Sequence, residues 1–350
     1  MTTVAGRPPE TLPRAPTRLS EGWRVGQPVL TRNSTYCGQA FQCSSTLNTC
    51  AYQIQYLSND TSSTGVVVED ILHLISDDSQ SNVANAQVTL GCDINETGSF
   101  LEGAAPNGLF GLGMNEISVP SVLASKGLTA NSFSMCFGPN GTGRMNFGDT
   151  GSSGQGQTPF NVQQTNPTYN VTVTQVRVGD NTTDISFSAI FDSGTSFTNL
   201  NEPAYTIISE SFNSQAQSRL PSDSQIPFEY CYSDLSANHT INLTMKGGDQ
   251  FSVTDPIVVV SLQNGGSVYC LALVKSEDIN IIGQNFMTGY SMVFDRENMV
   301  LGWEGSNCYG AEATSIPSSP SDLTRLKSSI STLFAVTFTI LVHCLIIGSS

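Results

Sequence analysis

The chain has 350 residues, enough for two modest domains, and its 39% hydrophobic content with 31 glycines and 16 prolines excludes global disorder. Its 29 acidic and 14 basic side chains give a net charge of -15 and a pI near 4.4. This balance disfavours nucleic acid as a partner, and it leaves the surface less charged at acidic pH. An acidic compartment and the extracellular space both fit such a composition.

The first segment, residues 1–32, is rich in arginine and proline and has no apolar run of signal-peptide length. We predict that it is a disordered leader, unrelated to the sequence that follows. Because glycosylation motifs and a membrane-anchor signal lie further along, we expect the true N-terminus, with its secretory signal, to be missing from this sequence.

Eight Asn-x-Thr sequons for N-glycosylation are spread along the chain, and together they indicate passage through the secretory pathway. They begin at Asn33, Asn59, Asn95, Asn140, Asn170, Asn181, Asn238 and Asn242. The nine cysteines form no CxxC pair and have only three histidines beside them, so disulfides are favoured over a zinc site. We therefore expect no metal and no cofactor.

Short strands between Gly, Asn and Asp turns run from Cys37 onward and predict an all-β sandwich or barrel. Alternation predicts a strand at 169–174, and apolar runs predict strands at 256–262 and 267–275. Residues 289–303 are typical of a hairpin whose turn is DREN, Asp295–Asn298.

Helical patterns are few. One begins at Ser118, with a proline two residues later. A second covers Glu202–Ser218, where Tyr205, Ile208 and Phe212 share one face. The predicted class is therefore β with minor helices.

The segment Phe191–Leu200 reads FDSGTSFTNL and is the most informative part of the chain. Gly194 tolerates a tight backbone, and the Ser193 and Thr195 hydroxyls can hydrogen-bond a carboxylate or neighbouring backbone. Bonds to the ionised form would keep Asp192 charged at acid pH. The alternative, a surface aspartate in an ordinary Ser/Gly turn, is disfavoured because the preceding strand and a later Ile-Ile-Gly agree.

Two stretches repeat a pattern of two apolar residues followed by glycine: GLFGLG at 108–113 and NIIGQNF at 280–286. Taken alone, each is more often a buried strand and turn. Beside an Asp-Ser-Gly turn, such a strand can cross a loop closely, because glycine allows the approach.

The tail, residues 330–347, is apolar apart from a few hydroxyls and His343, and it follows a polar stretch with Arg325 and Lys327. This order resembles a GPI-attachment signal, in which lipid replaces the removed tail. The alternative is a C-terminal transmembrane anchor, which is disfavoured because no basic flank follows.

Residues from about 33 to 309 resemble the plant-type pepsin family (A1) of aspartic proteases, close to the GPI-anchored aspartyl protease family proteins. The resemblance implies a bilobal all-β fold, with Asp192 as the second catalytic aspartate and Ser193, Gly194 and Thr195 as its supporting turn. It also implies that Tyr56 is the tyrosine of the flap, a hairpin that closes over bound peptide. From spacing alone, Tyr56 would be an ordinary strand residue.

The resemblance also implies a set of disulfides. It pairs Cys231 with Cys270, Cys136 with Cys308 and Cys37 with Cys43. Cys50 and Cys92 are then left without their usual partners, as a deletion of N-terminal strands would leave them.

Peptide hydrolysis by this family needs two carboxyl groups that share one proton. Asp149, in Asp-Thr-Gly-Ser, matches the first catalytic turn, but it lies too near Asp192 in sequence for each to have its own many-stranded lobe. Small and polar residues follow it, which favours a loop. No aspartate precedes Asp60. We therefore predict that the first catalytic aspartate is missing and that the N-terminal lobe is incomplete.

The predicted organisation has five parts. They are a leader at 1–32, an incomplete N-terminal β lobe with the flap at 33–150, a C-terminal β lobe at 151–309, a linker at 310–329 and a hydrophobic tail at 330–350. The expected function is an aspartic endopeptidase that acts at acid pH and is inactive in this form. The alternatives are a non-catalytic pepsin-fold binding or inhibitor-like protein, or a fragment that does not fold stably.

The expected partners are a peptide or protein substrate and the membrane, reached through a GPI anchor or the hydrophobic tail. We expect a monomer that binds no nucleic acid. Its expected location is the secretory pathway and then the extracellular face of the plasma membrane or the cell wall.

Overall fold

A computed structural model describes the central part of the chain. The described residues are 3–4, 42–43, 50–56, 61–75, 83–105, 108–139, 141, 143–161, 167–221, 226–234, 240–254, 256–262 and 266–308. They divide into two compact units, within Val4–Leu128 and within Thr129–Phe334. Most of the predicted leader, the linker and the tail lie outside the described residues. Within the described part, no helix is long and apolar enough to cross a bilayer.

The first unit is built around one antiparallel sheet. Its elements, with the short N-terminal strand, are β1 (Thr3–Val4), β2 (Gln42–Cys43), β3 (Cys50–Gln55), β4 (Ser62–Ile75), β5 (Val83–Glu96), a 3-10 turn (Gly98–Glu102), β6 (Phe110–Gly111) and α1 (Val119–Ser125). The sheet has the order β2-β3-β4-β5, and β6, which contains part of GLFGLG, lies outside it. The helix predicted to begin at Ser118 is confirmed, with Ser118 as its extended N-cap.

The long β4 and β5 strands pair from Ser63 opposite Glu96 to Ile75 opposite Val83, with one bulge at Thr64 and Gly65. Glycine is required at this bulge, because a Cβ on Gly65 would lie 2.0 Å from the main-chain oxygen of Cys92. The inner side of the sheet buries Cys50, Tyr52 and Val67.

The described residues of the second unit form fifteen strands and two helices. They are β7 (Ser132–Phe137), β8 (Gly143–Phe147), β9 (Gly156–Pro159), β10 (Asn170–Val178), β11 (Asn181–Phe191), β12 (Thr198–Leu200), α2 (Ala204–Asn213), β13 (Cys231–Tyr232), β14 (Ile241–Met245), β15 (Gln250–Val253), β16 (Ile257–Ser261), β17 (Ser267–Leu271), β18 (Leu273–Lys275), β19 (Ile281–Ile282), α3 (Gln284–Met287), β20 (Tyr290–Asp295) and β21 (Val300–Gly305).

These strands form three sheets. The orders are β15-β14-β10-β11-β19-β12-β18, β8-β7-β20-β21-β9 and β13-β17-β16. Strand β7 pairs with β20 along its length, so residues from Thr129 belong to the second unit. The lobe boundary predicted from sequence lies later, after residue 150.

The predicted strands at 169–174 and 256–262 correspond to β10 and β16, and the run at 267–275 becomes β17 and β18. In β10 the alternate residues Val171 and Val173 are fully buried. The predicted hairpin is β20–β21, and its turn is closed by Asp295, whose Oδ1 accepts from the backbone N–H groups of Glu297 and Asn298.

Aromatic rings join the seven-stranded and five-stranded sheets of this unit. Phe133 stacks on Phe294 with ring centroids 4.8 Å apart, and Tyr169 meets Phe294 edge-on at 4.7 Å. All three side chains are almost fully buried, so this cluster forms part of the core between the sheets.

Helix α2 is shorter than the predicted 202–218. Its predicted apolar face is confirmed, because Tyr205, Ile208 and Phe212 are buried. Its C-terminal end is satisfied by the Gln215 side-chain amide, which donates to the carbonyl of Ser211.

The predicted Cys136–Cys308 and Cys231–Cys270 disulfides are confirmed. The prediction that Cys50 and Cys92 lack partners is wrong, because both are disulfide-bonded. The resemblance to the family could not show what the fold does with these cysteines, which are both buried in the four-stranded sheet. The predicted Cys37–Cys43 pair involves Cys37, which lies outside the described residues.

Candidate active site

The Asp192 turn lies at a crossing of the chain in the seven-stranded sheet. Strand β11 ends at Phe191, the turn follows, and the chain re-enters the sheet as β12. Between these two strands lies β19, which pairs in parallel with β11 (Phe191 opposite Ile282) and antiparallel with β12 (Asn199 opposite Ile281). The Ile-Ile-Gly strand therefore inserts between the two arms of the Asp192 loop, as the sequence predicts.

Glycine at position 283 makes this insertion possible. A Cβ on Gly283 would lie 2.6 Å from the carbonyl carbon of Phe197 and 2.8 Å from the carbonyl oxygen of Thr195. These are backbone atoms, so they cannot move aside as a flexible side chain would. The side chains of Phe191 and Ile282, both fully buried, anchor the crossing from below.

Both carboxylate oxygens of Asp192 accept hydrogen bonds from its own turn. The backbone N–H of Gly194 donates to Oδ1 at 3.0 Å, and the Thr195 hydroxyl donates to Oδ2 at 2.8 Å. The Asp192 N–H donates to the carbonyl of Ile282 at 3.0 Å, and Ser193 is buried within the turn. Donors at both oxygens hold the carboxylate in one orientation.

A second set of bonds supports the turn from beneath and could not be identified from sequence. The Thr198 hydroxyl donates to Oδ1 of Asn285 at 3.0 Å and accepts from the Gly283 N–H at 3.1 Å. The Asn285 amide nitrogen donates to the carbonyl of Ala272 at 2.7 Å. Asn285, in α3, thus ties β12 to the residue between β17 and β18, a role that depends on long-range contacts and leaves no local pattern.

Tyr56, the predicted flap tyrosine, follows β3 in the first unit. Its N–H donates to the carbonyl of Thr61 at 2.9 Å, and this bond joins β3 to the start of β4. Residues 57–60, between the two bonded residues, lie outside the described ranges. Its ring meets Phe100 edge-on at 5.1 Å. Burial, aided by the charge of Glu96, raises the pKa of Tyr56 to about 12, so the hydroxyl keeps its proton at ordinary pH.

Asp149 lies in the turn after β8 of the five-stranded sheet, whereas Asp192 follows β11 of the seven-stranded sheet. Its Oδ2 accepts from the Ser134 hydroxyl at 2.5 Å, and its Oδ1 accepts from the Gly151 N–H at 2.8 Å. These bonds join the turn to the neighbouring strand β7 and give the carboxylate a structural task. Its exclusion from the catalytic pair stays a prediction.

The chemistry available to the Asp192 carboxylate is proton transfer. An oriented, ionised carboxylate can take a proton from a water molecule, and a second carboxyl group must supply the acid. Within the described ranges, no group of three or more His, Cys, Asp or Glu side chains is placed to hold a metal ion.

Two family models match the chain. One, described as xylanase inhibitor N-terminal, covers residues 24–149, and the other, xylanase inhibitor C-terminal, covers residues 168–305. The chain is 57% identical over 299 residues to Aspartyl protease family protein 1 of Arabidopsis thaliana, a match covering 83% of this chain and 58% of that protein. It is 39% identical over 285 residues to Aspartic proteinase-like protein 1 of the same plant, covering 78% of this chain and 54% of that protein. The chain thus spans just over half the length of these relatives.

Two solved structures share the fold. Basic 7S globulin from soybean superposes with a TM-score of 0.62, covering 80% of this chain and 77% of its own. Conglutin gamma from lupine seeds superposes with a TM-score of 0.65, covering 80% and 82%. Each is 20% identical to this chain, and their likeness confirms the all-β, bilobal pepsin-like fold. The chain belongs to the plant pepsin-like aspartic protease family.

Proposed function

We propose that the whole protein is an aspartic endopeptidase that hydrolyses peptide bonds at acid pH, with Asp192 as one half of its catalytic pair. The observation that carries this proposal is the fixed Asp192 carboxylate, with one donor at each oxygen and the crossing strand beneath it. The similarity to Arabidopsis proteins named as aspartyl protease and aspartic proteinase supports the same reaction.

In the proposed mechanism, one carboxylate takes a proton from water while its protonated partner gives a proton to the scissile carbonyl oxygen. The Gly194 and Thr195 donors stabilise the charge on Asp192 while the water is activated. Tyr56 belongs to the proposed flap that covers the bound peptide. We place the partner aspartate in sequence of the whole protein that this chain lacks, so the chain by itself is inactive.

The test is substitution of Asp192 by asparagine in the full-length protein, with Asp149→Asn as a matched control. We expect Asp192→Asn to lower cleavage of a denatured protein at acid pH by roughly a hundredfold to ten-thousandfold, the usual weight of acid–base catalysis. Asp149→Asn leaves cleavage near wild type, and a statine-type transition-state mimic blocks both active forms. Full activity in Asp192→Asn would overturn the assignment.

A second candidate is a non-catalytic binding or inhibitor-like protein. Both matching family models are described as parts of xylanase inhibitors, and this observation favours it. A xylanase inhibition assay distinguishes the two functions. An inhibitor-like protein lowers xylanase activity at stoichiometric concentration and needs no catalytic pair of its own. Under the protease proposal, this chain leaves xylanase activity unchanged.

We also propose that the protein enters the secretory pathway and stays on the extracellular face of the plasma membrane or in the cell wall, held by a GPI anchor. The eight sequons support this location, as do the disulfides, which persist in oxidising compartments. Its proposed partners there are peptide or protein substrates, met as a monomer. Failure of a phosphatidylinositol-specific phospholipase to release the full-length protein from membranes would contradict the anchor.

A further inference from the structure

The sequons are equivalent in sequence but not in the fold. Four of the eight lie entirely within the described residues, and they begin at Asn95, Asn170, Asn181 and Asn242. N-glycosylation needs a side-chain amide that can reach solvent, because the attached oligosaccharide is bulky and hydrophilic. The burial and the hydrogen bonds of each asparagine amide therefore indicate which sequons can carry a glycan in the folded protein.

Asn181 meets this requirement. It is the first residue of β11 and lies opposite Val178 across the β10–β11 hairpin, whose two-residue turn is Gly179 and Asp180. Asn181 is exposed, and so are its neighbours Asp180 and Thr182. A glycan at this hairpin end extends into solvent without displacing any strand.

Asn242 does not meet it. It lies within β14, an inner strand of the seven-stranded sheet, where it faces Arg177 of β10 on one side and Ser252 of β15 on the other. Only 6% of Asn242 is exposed, and its Oδ1 accepts from the Ser252 hydroxyl at 2.5 Å. A sugar on the nitrogen of this nearly buried side chain would displace the neighbouring strands and with them the bond from Ser252.

The other two described sequons differ from each other in exposure. Asn95 is exposed on β5. Asn170 is partly buried, and the Asn161 amide nitrogen donates both to its Oδ1 at 3.0 Å and to the hydroxyl of Thr172 at 2.7 Å. This cluster ties the sequon to the sheet and leaves Asn170 between the two extremes.

We propose that Asn95 and Asn181 are N-glycan acceptors and that Asn242 is a structural amide that stays unmodified in the folded protein. In the transfer, the anomeric carbon of the oligosaccharide leaves a lipid-linked diphosphate donor and bonds to the asparagine Nδ2. The amide loses one proton, and the lipid diphosphate departs as the leaving group. This assignment does not depend on the catalytic proposal.

The experiment uses the full 350-residue chain behind a heterologous cleavable signal peptide in cultured human cells. Protein collected from the medium, or released from the cell surface by a phosphatidylinositol-specific phospholipase, is treated with peptide N-glycosidase in ¹⁸O-labelled water. Each occupied asparagine becomes a labelled aspartate that mass spectrometry locates. We expect the label at residues 95 and 181 and none at residue 242.

Isosteric sequon variants serve as matched controls, since they spare the asparagine itself. Thr183→Val is expected to increase electrophoretic mobility by one glycan, as Asn181→Gln does, whereas Thr244→Val leaves mobility unchanged. If the chain stays in the cell, the same labelling is applied to its protease-resistant, folded fraction. An unlabelled residue 95 or 181, or a labelled residue 242, in folded protein overturns the proposal.

Discussion

At the scale of single residues, the Asp192 carboxylate depends on groups that are distant in sequence. Its immediate donors, Gly194 and Thr195, lie within the same turn and could be read from FDSGTS. The bonds of Thr198 and Asn285 beneath the turn could not be predicted from sequence, because Asn285 follows β19 and lies far from Thr198 along the chain. Gly283 connects the two sets, since its own N–H donates to Thr198.

We expect Gly283→Ala to destabilise the second unit and loosen the Asp192 turn. The new Cβ would lie 2.6 Å from a backbone atom of Phe197, and overpacking of this kind costs about 1–3 kcal/mol. Gly305→Ala is the matched control, because a Cβ there meets nothing within 4 Å. The check is urea unfolding of both variants, and equal midpoints would contradict the close crossing.

At the scale of elements, strands with strong local patterns could be predicted, and short strands could not. The alternation in β10 and the Asp295 turn of the β20–β21 hairpin depend on near neighbours. The three-residue strand β12 pairs with β18, and the chain just after α2 is held by a bond from the Gln215 amide to the carbonyl of Val178, so both depend on partners elsewhere in the chain. The helix predicted from the sequence pattern therefore extends beyond the observed end of α2.

The β4–β5 ladder carries a titrating carboxyl that should make its stability depend on pH. Asp93 accepts a short hydrogen bond from Ser63, which also bonds the Tyr52 hydroxyl at 2.7 Å. Burial, followed by the charge of Glu96 and a hydrogen bond to it, raises the pKa of Asp93 to about 6. A raised carboxyl pKa means that the folded state binds the proton more tightly than the unfolded state.

This contribution to stability is therefore complete below about pH 4 and is lost as pH rises to about 6. We expect Asp93→Asn to flatten that part of the stability profile, by a modest amount because the residue is only partly buried and solvent screens its charge. Thermal unfolding between pH 4 and pH 7 measures it. Asp70→Asn, on the same ladder, makes the same change of charge, and identical profiles for the two variants would contradict the expectation.

At the scale of the whole molecule, the chain combines a complete Asp192 crossing with just over half the length of its curated relatives. A single carboxylate cannot share a proton across a pair, and we propose that the partner aspartate lies outside this chain. We expect the chain itself to show no acid-dependent cleavage of a denatured protein substrate above the level of its Asp192→Asn variant. Robust cleavage that Asp149→Asn abolishes would instead make Asp149 the partner.

The sequence by itself determined the family, the all-β class and the Asp192 turn, because these follow from local patterns and short motifs. Only the tertiary structure decided that Asn285 supports the turn, that Cys50 and Cys92 are bonded, and that β7 pairs with β20. It also separated an exposed Asn181 from a buried Asn242 within identical motifs. Each of these depends on contacts between residues far apart along the chain, which no local pattern records.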